Sequence, residues 1–386
     1  MDAIRSDDSA ERAMLRVAVR ELAESFGHSY FADSASAGRF PVELWDALGD
    51  AGYSGVNVAS DYGGGGGGLT DLVVVAEELA AAGCPLMTLV VSPAVCAPIL
   101  ARYGTHEQKQ RWLTPIGTGE ARMSFAITEP EAGSNSHAIR TRAERTGSGW
   151  VINGAKHYIS GVDDAQALML MARTGLTSGG RGALSIFIVD TRSPGLSWTP
   201  IRTAVHAAER QFIVTFDDVC VGGDSLIGEA DKGLGQVFEG LNPERILSAA
   251  TCTGIARYAL SKGVAYARQR HVWGVAIGSH QAVAHPLARS LAGLHAARLV
   301  LYQASERFDA GESPSNEAAM AKLLAAHAAE GALDTAIQVH GGNGLAEEYG
   351  LSDLWGLVRL YRIAPVSDEM TLNHIAAHAL GLPKSY

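Results

Sequence analysis

Apolar residues recur at helical spacing from Asp8 to about Gly119, as at Ala13-Met14, Val17, Val19 and Leu22 and again at Leu44 and Leu48, which predicts helices. After Arg122 the pattern changes. Met123 to Ile127, Trp150 to Ile159, Ala167 to Ala172, Leu184 to Val189 and Phe212 to Val221 are short β-rich runs separated by Gly, Asp, Ser and Pro. From Gly233 onward long Ala- and Leu-rich segments return, punctuated at Asn242-Pro243, Gly274 to Gly278, Ser313-Pro314 and Gly341 to Gly344. The predicted class is α+β, mostly helical: an N-terminal helical domain over 1–120, a central β-domain over 121–230 and a C-terminal helical bundle over 231–386. Strands segregated from helices argue against a doubly wound α/β fold, and no repeat of fixed period is present.

One local pattern competes with this order. Gly55 to Ala59 could be a strand, Gly63 to Gly68 meets a Gly-x-Gly-x-x-Gly spacing, and Leu69 to Ala82 has helical periodicity, which together imitate a dinucleotide-binding unit. Consecutive glycines meet that spacing trivially, and Cys84 to Gly119 adds no convincing alternation of strands and helices, so a flexible surface loop is expected instead. The most apolar segment, Cys84 to Leu100, is interrupted by Pro85, Pro93 and Pro98 and is short for a bilayer span of about 20 residues. It reads as a buried helix or loop, and no membrane span is expected. The N-terminus alternates charged with single apolar residues, as an amphipathic helix does, and lacks the apolar core of a signal peptide.

Composition narrows the function. The 386 residues are 47% hydrophobic, enough for two or three domains around a large core. A formal net charge of -10 repels phosphate backbones, so nucleic acid is not an expected partner. Cys84, Cys96, Cys220 and Cys252 lie far apart without metal-ligand spacing, which fits reduced thiols and a cytoplasmic location, with no metal.

Four segments carry candidate chemistry. Phe125-Ala-Ile-Thr-Glu-Pro-Glu-Ala-Gly-Ser-Asn135 opens as a strand, offers the Thr128 hydroxyl to a ring edge, stops ladder pairing at Pro130, and lets backbone amides approach an anion at Gly133 and Ser134. In Lys156-His-Tyr-Ile-Ser160, Tyr158 could stack on a planar ring while Ser160 donates to its heteroatoms; an ordinary strand end would look the same. Tyr266-Ala-Arg-Gln-Arg-His-Val-Trp-Gly274 carries Arg268 and Arg270, whose guanidinium forks suit a diphosphate or, equally, a solvated helix C-terminus. Gln338-Val-His-Gly-Gly-Asn-Gly344 pairs glycines after a helix, allowing a close backbone approach to a ligand or a simple helix stop.

Together these segments resemble the cofactor-contact marks of the acyl-CoA dehydrogenase family, along nearly the whole chain. The resemblance implies that the C-terminal helices form a four-helix bundle and that FAD lies between them and the β-domain, near a subunit interface. A homotetramer or homodimer follows. The matching FAD contacts are Phe125, Ile127, Thr128, Gly133, Ser134, Tyr158, Ser160, Arg270, Trp273, Gln281, Gln338, Gly341, Gly342, Ser367 and Glu369. Among these, Arg270 matches the position that meets the pyrophosphate from the neighbouring subunit, and Ser367 and Glu369 match contacts to the adenosine portion. Ser134 and Arg245 fall near the thioester and CoA.

The reaction that the resemblance implies is α,β-dehydrogenation of an acyl-CoA, with electrons passed to an electron-transfer flavoprotein. A carboxylate must then reach the substrate α-carbon. Many members carry it in a Tyr-x-Ile-Tyr-Glu-Gly run, but Tyr361-Arg-Ile-Ala-Pro365 places proline there, which also removes a backbone N–H that would polarise the thioester carbonyl unless Val366 supplies it. The isovaleryl and long-chain branch places the glutamate before an arginine on another helix, which makes Glu244, beside Arg245, the candidate base. Alternatively, Asn242, Pro243 and Glu244 would be N-cap, N1 and N2 of a helix. Burial should raise the pKa of Glu244, and a helix-terminal position should lower it. Two other readings stay open: a same-fold flavin monooxygenase or oxidase acting on a substrate that is not a thioester, and a non-catalytic subunit of a hetero-oligomeric dehydrogenase.

Overall fold

The computed structural model describes residues 8–384, so the first seven positions of the expected N-terminal amphipathic helix lie outside the described residues. The helix itself is present as α1 (Ala10–Ser36), started by Ser9, whose hydroxyl accepts from Arg12 N at 3.3 Å, and kinked at Gly27. There follow α2 (Val42–Asp50), α3 (Leu69–Ala81), α4 (Thr88–Val91), a π-turn over Ser92–Cys96, α5 (Ala97–Tyr103), α6 (His106–Gln108), a second π-turn over Lys109–Leu113, and α7 (Thr114–Thr118). Helix α3 is buried on nearly every side, as an apolar helix at the centre of a domain must be. Among the described residues no helix is long and apolar enough to cross a membrane.

The strands are β1 (Met123–Ala126), β2 (Arg142–Arg145), β3 (Gly149–Ser160), β4 (Ala167–Leu176), β5 (Gly182–Asp190), β6 (Leu196–Ile201), β7 (Gln211–Gly222) and β8 (Leu226–Ile227). They form one sheet in the order β6-β7-β3-β2-β4-β5-β8, with β1 parallel to β4. Both faces of β4 are covered. Met169 and Met171 join Ile99, Leu113 and Val237 on one side, while Leu168 and Leu170 join Trp150, Phe187 and Phe212 on the other. That double burial is why β4 reads as an unbroken apolar run.

The C-terminal part packs α8 (Gly233–Gln269), α9 (Gln281–Asp309) and α10 (Ser315–His340) together, with α11 (Trp355–Leu360) and α12 (Asp368–His378) against α10. A hairpin, β9 (His271–Val272) with β10 (Val275–Ala276), links α8 to α9. A stripe of small residues, Ala318, Ala321, Ala325, Ala329, Ala332 and Ala336, faces inward along α10 at steps of three and four, so the helix axes approach closely.

Three expectations need correction. The glycine run is not flexible: Gly64 N donates to Ala59 O at 3.3 Å, Gly65 N to Gly55 O at 3.2 Å, Gly66 N to Val58 O at 2.9 Å and Gly67 N to Val56 O at 2.8 Å. A Cβ on Gly64 would fall 2.3 Å from Val58 O, so glycine is needed for this close approach. The expected break at Asn242-Pro243 is absent, because α8 continues through Pro243 under a long buried stripe that outweighs one missing N–H. Finally three strands lie outside the expected runs: β2 is mostly exposed and charged, β6 is a half-exposed edge that tolerates Pro200, and β8 is only two residues long.

Candidate active site

Helix α8 carries Glu244 in its interior, more than two turns past its start at Gly233, so the N-cap, N1 and N2 alternative does not hold. Gly240, one turn earlier on the same face, lets the helix touch the π-turn: a Cβ there would lie 2.6 Å from Val95 O. Cys96 of that turn lies within electrostatic reach of Glu244, and its Sγ is 4.0 Å from Ser124 O on β1. Glu244 therefore sits where α8, the π-turn and β1 converge. It makes no hydrogen bond or ion pair among the described residues, and burial raises its carboxyl to about 7, opposed only by Arg245. Arg245 donates to Asn242 Oδ1 at 2.9 Å and, among the described residues, forms no ion pair within 4 Å.

Other acids of the region are committed elsewhere. Asp368 accepts from Arg362 Nε at 2.8 Å, lies 2.9 Å from His327 Nε2 and 3.2 Å from Lys322 Nζ, and is held below the usual carboxylate range. Its neighbour Ser367 caps α12, accepting from Met370 N at 3.3 Å, and Glu369 is exposed in the first turn.

The strand end 156–160 is built irregularly. The pairing of β3 with β7 shifts between Lys156 and Ile159, and within that bulge Tyr158 takes φ 57, a left-handed conformation rare for an aromatic residue. The strain turns the ring outward, where it is 62% exposed. Two residues sequence reasoning left without a role hold this bulge to the β1 loop. Buried Lys156 donates to Ile127 O at 2.9 Å and to Glu129 Oε1 at 2.8 Å, while Glu129 also accepts from Arg140 N and Thr141 N. His157 N donates to Thr128 O at 2.9 Å. A lysine and a glutamate quoted inside the two motifs were the available signal. Lys156→Met is expected to lower stability by about 1–3 kcal/mol, checked by thermal melting.

Of the candidate contacts, Phe125, Ile127, Thr128, Tyr158 and Ser160 share this corner of the sheet, and Gly133 and Ser134 border open space on the adjoining loop. A second cluster lies at the far end of the bundle: Arg270 ends α8, Trp273 tips the hairpin at 88% exposure, Gln281 opens α9, and Gln338, Gly341 and Gly342 close α10. Asn343 ties these ends by donating to Tyr266 OH at 3.2 Å and Tyr349 OH at 2.9 Å. No hydrogen bond or ion pair joins the two clusters among the described residues. An upturned aromatic face, two nearby hydroxyls and open glycines fit a large planar cofactor with an anionic tail.

Comparison with known proteins decides the family. The chain matches the acyl-CoA dehydrogenase N-terminal domain over residues 9–120, the middle domain over 124–219 and the C-terminal domain over 231–380. The chain belongs to the acyl-CoA dehydrogenase family. It is 46% identical to acyl-CoA dehydrogenase FadE12 of Mycobacterium tuberculosis over 381 residues, 98% of each chain. Butyryl-CoA dehydrogenase from Megasphaera elsdenii superimposes with a TM-score of 0.92 at 26% identity, over 98% of this chain and 100% of that one. A chain from a structure titled for the electron transferring flavoprotein of Acidaminococcus fermentans gives a TM-score of 0.92 at 28% identity, over 97% and 99%. Family membership makes this a flavoprotein oxidoreductase acting on CH–CH donors, an acyl-CoA dehydrogenase; the monooxygenase and idle-subunit readings are not favoured.

Proposed function

We propose that the protein binds FAD and dehydrogenates an acyl-CoA between its α- and β-carbons, with Glu244 as the base and an electron-transfer flavoprotein as acceptor. The observation that carries this is the position of Glu244: a carboxyl inside α8 without a hydrogen bond or ion pair among the described residues, within electrostatic reach of Cys96 on the π-turn that touches β1, and poised near neutral pH. FAD, when bound, supplies the two-electron acceptor for the β-hydride.

The chain's own groups then divide the work. Tyr158 offers a ring face and Thr128 and Ser160 offer hydroxyls to the flavin, with Phe125, Ile127, Gly133 and Ser134 beside them. Arg270, Trp273, Gln281, Gln338, Gly341 and Gly342 lie at the opposite end of the bundle, which suits contact with a neighbouring subunit's cofactor in a homodimer or homotetramer. Ser367 and Glu369 remain candidates for the adenosine portion, at the start of α12. Glu244 takes the α-proton, while Arg245 and Ser134 lie toward the thioester and CoA. Pro365 gives the carbonyl no N–H, but the following Val366 amide has no protein acceptor among the described residues and can serve. Domains at 1–120, 121–230 and 231–386 and a role in fatty acid metabolism in the cytoplasm complete the proposal.

Anaerobic titration of the yellow protein with CoA thioesters tests the reading. Bleaching of the flavin absorbance by a saturated thioester is expected; a flavin that no thioester reduces would overturn the assignment. Arg270→Ala is expected to weaken FAD retention, measured as flavin per protein after gel filtration, because the planar fork would no longer hold the pyrophosphate.

A further inference from the structure

The segment that carries Pro365 and Val366 is fastened at both ends by one buried acid. Asp368 N donates to Arg362 O at 3.1 Å, which closes the loop between them, and the Asp368 carboxylate accepts from Arg362 Nε across the same neck at 2.8 Å. That carboxylate also lies 3.2 Å from Lys322 Nζ and 2.9 Å from His327 Nε2, both on α10. Arg362 Nη1 adds a bond to Glu330 Oε2, again on α10, at 2.8 Å. Asp368 is 6% exposed and Lys322 1%, so the tie is made out of water, where a charged pair holds its geometry best. Starting α12 does not require it, because Ser367 already caps that helix and Glu369 supplies an exposed first-turn acid. Burial by itself would raise the Asp368 carboxyl, but Arg362 and Lys322 hold it below its ordinary value and keep the clamp charged.

The clamped loop lies along α8 beside the proposed base. Just before it, the buried Tyr361 hydroxyl meets the side chain of Thr251, two turns past Glu244 on the same face of the helix. Asp368 is within electrostatic reach of Cys252, the next residue of α8. Just after the loop, α12 brings His374 within electrostatic reach of Arg245, the neighbour of Glu244. Between these anchors Pro365 has no N–H to give, while the Val366 N–H has no protein acceptor among the described residues. A donor aimed at a developing oxyanion acts through being in place before the charge forms. We infer that Asp368 is a positioning residue for the dehydrogenation: by fastening Arg362 to α10 it holds the loop over 363–367 so that the Val366 N–H meets the thioester carbonyl.

This inference rests on the proposed dehydrogenation, and its test separates the two. Arg362→Gln opens the neck of the loop but leaves Lys322 paired with Asp368, whereas Asp368→Asn removes the whole clamp. The probe is butanoyl-, octanoyl- or hexadecanoyl-CoA, whichever reduces the wild-type flavin fastest. In flavin-loaded Arg362→Gln the saturating reduction rate is expected to fall about 10- to 100-fold, part of what loss of an oxyanion donor costs, while the thioester concentration at half saturation moves by less than about 3-fold. Asp368→Asn should fall further, and Arg362→Lys, which restores a cation at the neck, should recover part of the loss. The contact is read directly from the infrared carbonyl stretch of the matching enoyl-CoA, isotope-labelled at its carbonyl. Bound to the wild type it lies below its value in water, and in Arg362→Gln it returns toward that value. The Arg362 side chain is 30% exposed, so this variant carries the test if Asp368→Asn does not fold. A saturating rate within about 2-fold of wild type, or a carbonyl stretch unmoved by Arg362→Gln, would overturn the positioning role while leaving dehydrogenation standing. If no thioester reduces the wild-type flavin, the underlying reaction fails and the positioning role with it.

Discussion

Glu244→Gln is expected to keep its yellow flavin and lose about 10²- to 10⁴-fold in the rate of flavin reduction by a thioester, because the amide cannot accept the α-proton. Stopped-flow absorbance under anaerobic conditions measures it, and unchanged kinetics would remove Glu244 from the chemistry. The same residue sets a pH signature. With its carboxyl raised to about 7, Glu244 is protonated below that value and ionised above it, so reduction should accelerate as pH rises through about 7. Stability runs the other way. The unfolded chain ionises this carboxyl at its ordinary pKa of 4.5, so the wild type loses folding stability as pH climbs from there to about 7. The glutamine variant lacks that loss, and its melting temperature relative to wild type should rise across the window. A residue that merely complemented a helix terminus would show neither effect.

The outline of this fold is legible because burial and periodicity agree. Ala167 to Ala172 is apolar without a break and is buried on both faces; Leu69 to Ala82 has helical spacing and forms α3. What escaped has physical causes. Proline at 243 marks a helix start by local rules, yet tertiary packing carries α8 through it, and only that continuity puts Glu244 in the helix interior. The glycine run reads as loose because the sequence does not show the backbone carbonyls at 55–59 that fix it. At the candidate site Tyr158 and Glu244 stand out as residue types, whereas the bond of Lys156 to Glu129 does not, since it joins β3 to the loop after β1, 27 residues away in sequence.

The largest stability effect is expected at Glu77, which is remote in sequence from every candidate contact. Its carboxylate is fully buried on α3 and accepts from Arg298 Nε at 2.7 Å, Arg16 Nη1 at 3.0 Å, Tyr302 OH at 2.8 Å and Thr253 Oγ1 at 2.9 Å. These partners stand on α9, α1 and α8, so one acid ties the N-terminal helices to the C-terminal bundle. Glu78 beside it accepts from Arg16 and Arg257, both at 2.6 Å, and from Arg20 at 3.0 Å, and cannot also neutralise Arg298. Glu77→Gln removes a buried carboxylate charge from its ion pairs with Arg298 and Arg16, and breaking a buried pair this way costs about 3–5 kcal/mol. Denaturant melts of the purified flavoprotein measure the loss, and a change below about 1 kcal/mol would show the network to be energetically idle. The acid limb gives a second reading. Arg298, Arg257 and Arg16 hold the Glu77 carboxyl far below its usual range, so its contribution is complete above the ordinary carboxylate pKa and disappears as pH falls toward the depressed value. Glu77→Gln should therefore flatten the acid-side fall in stability as well as lower the plateau near neutral pH, whereas loss of packing alone would shift the whole curve down without changing its slope.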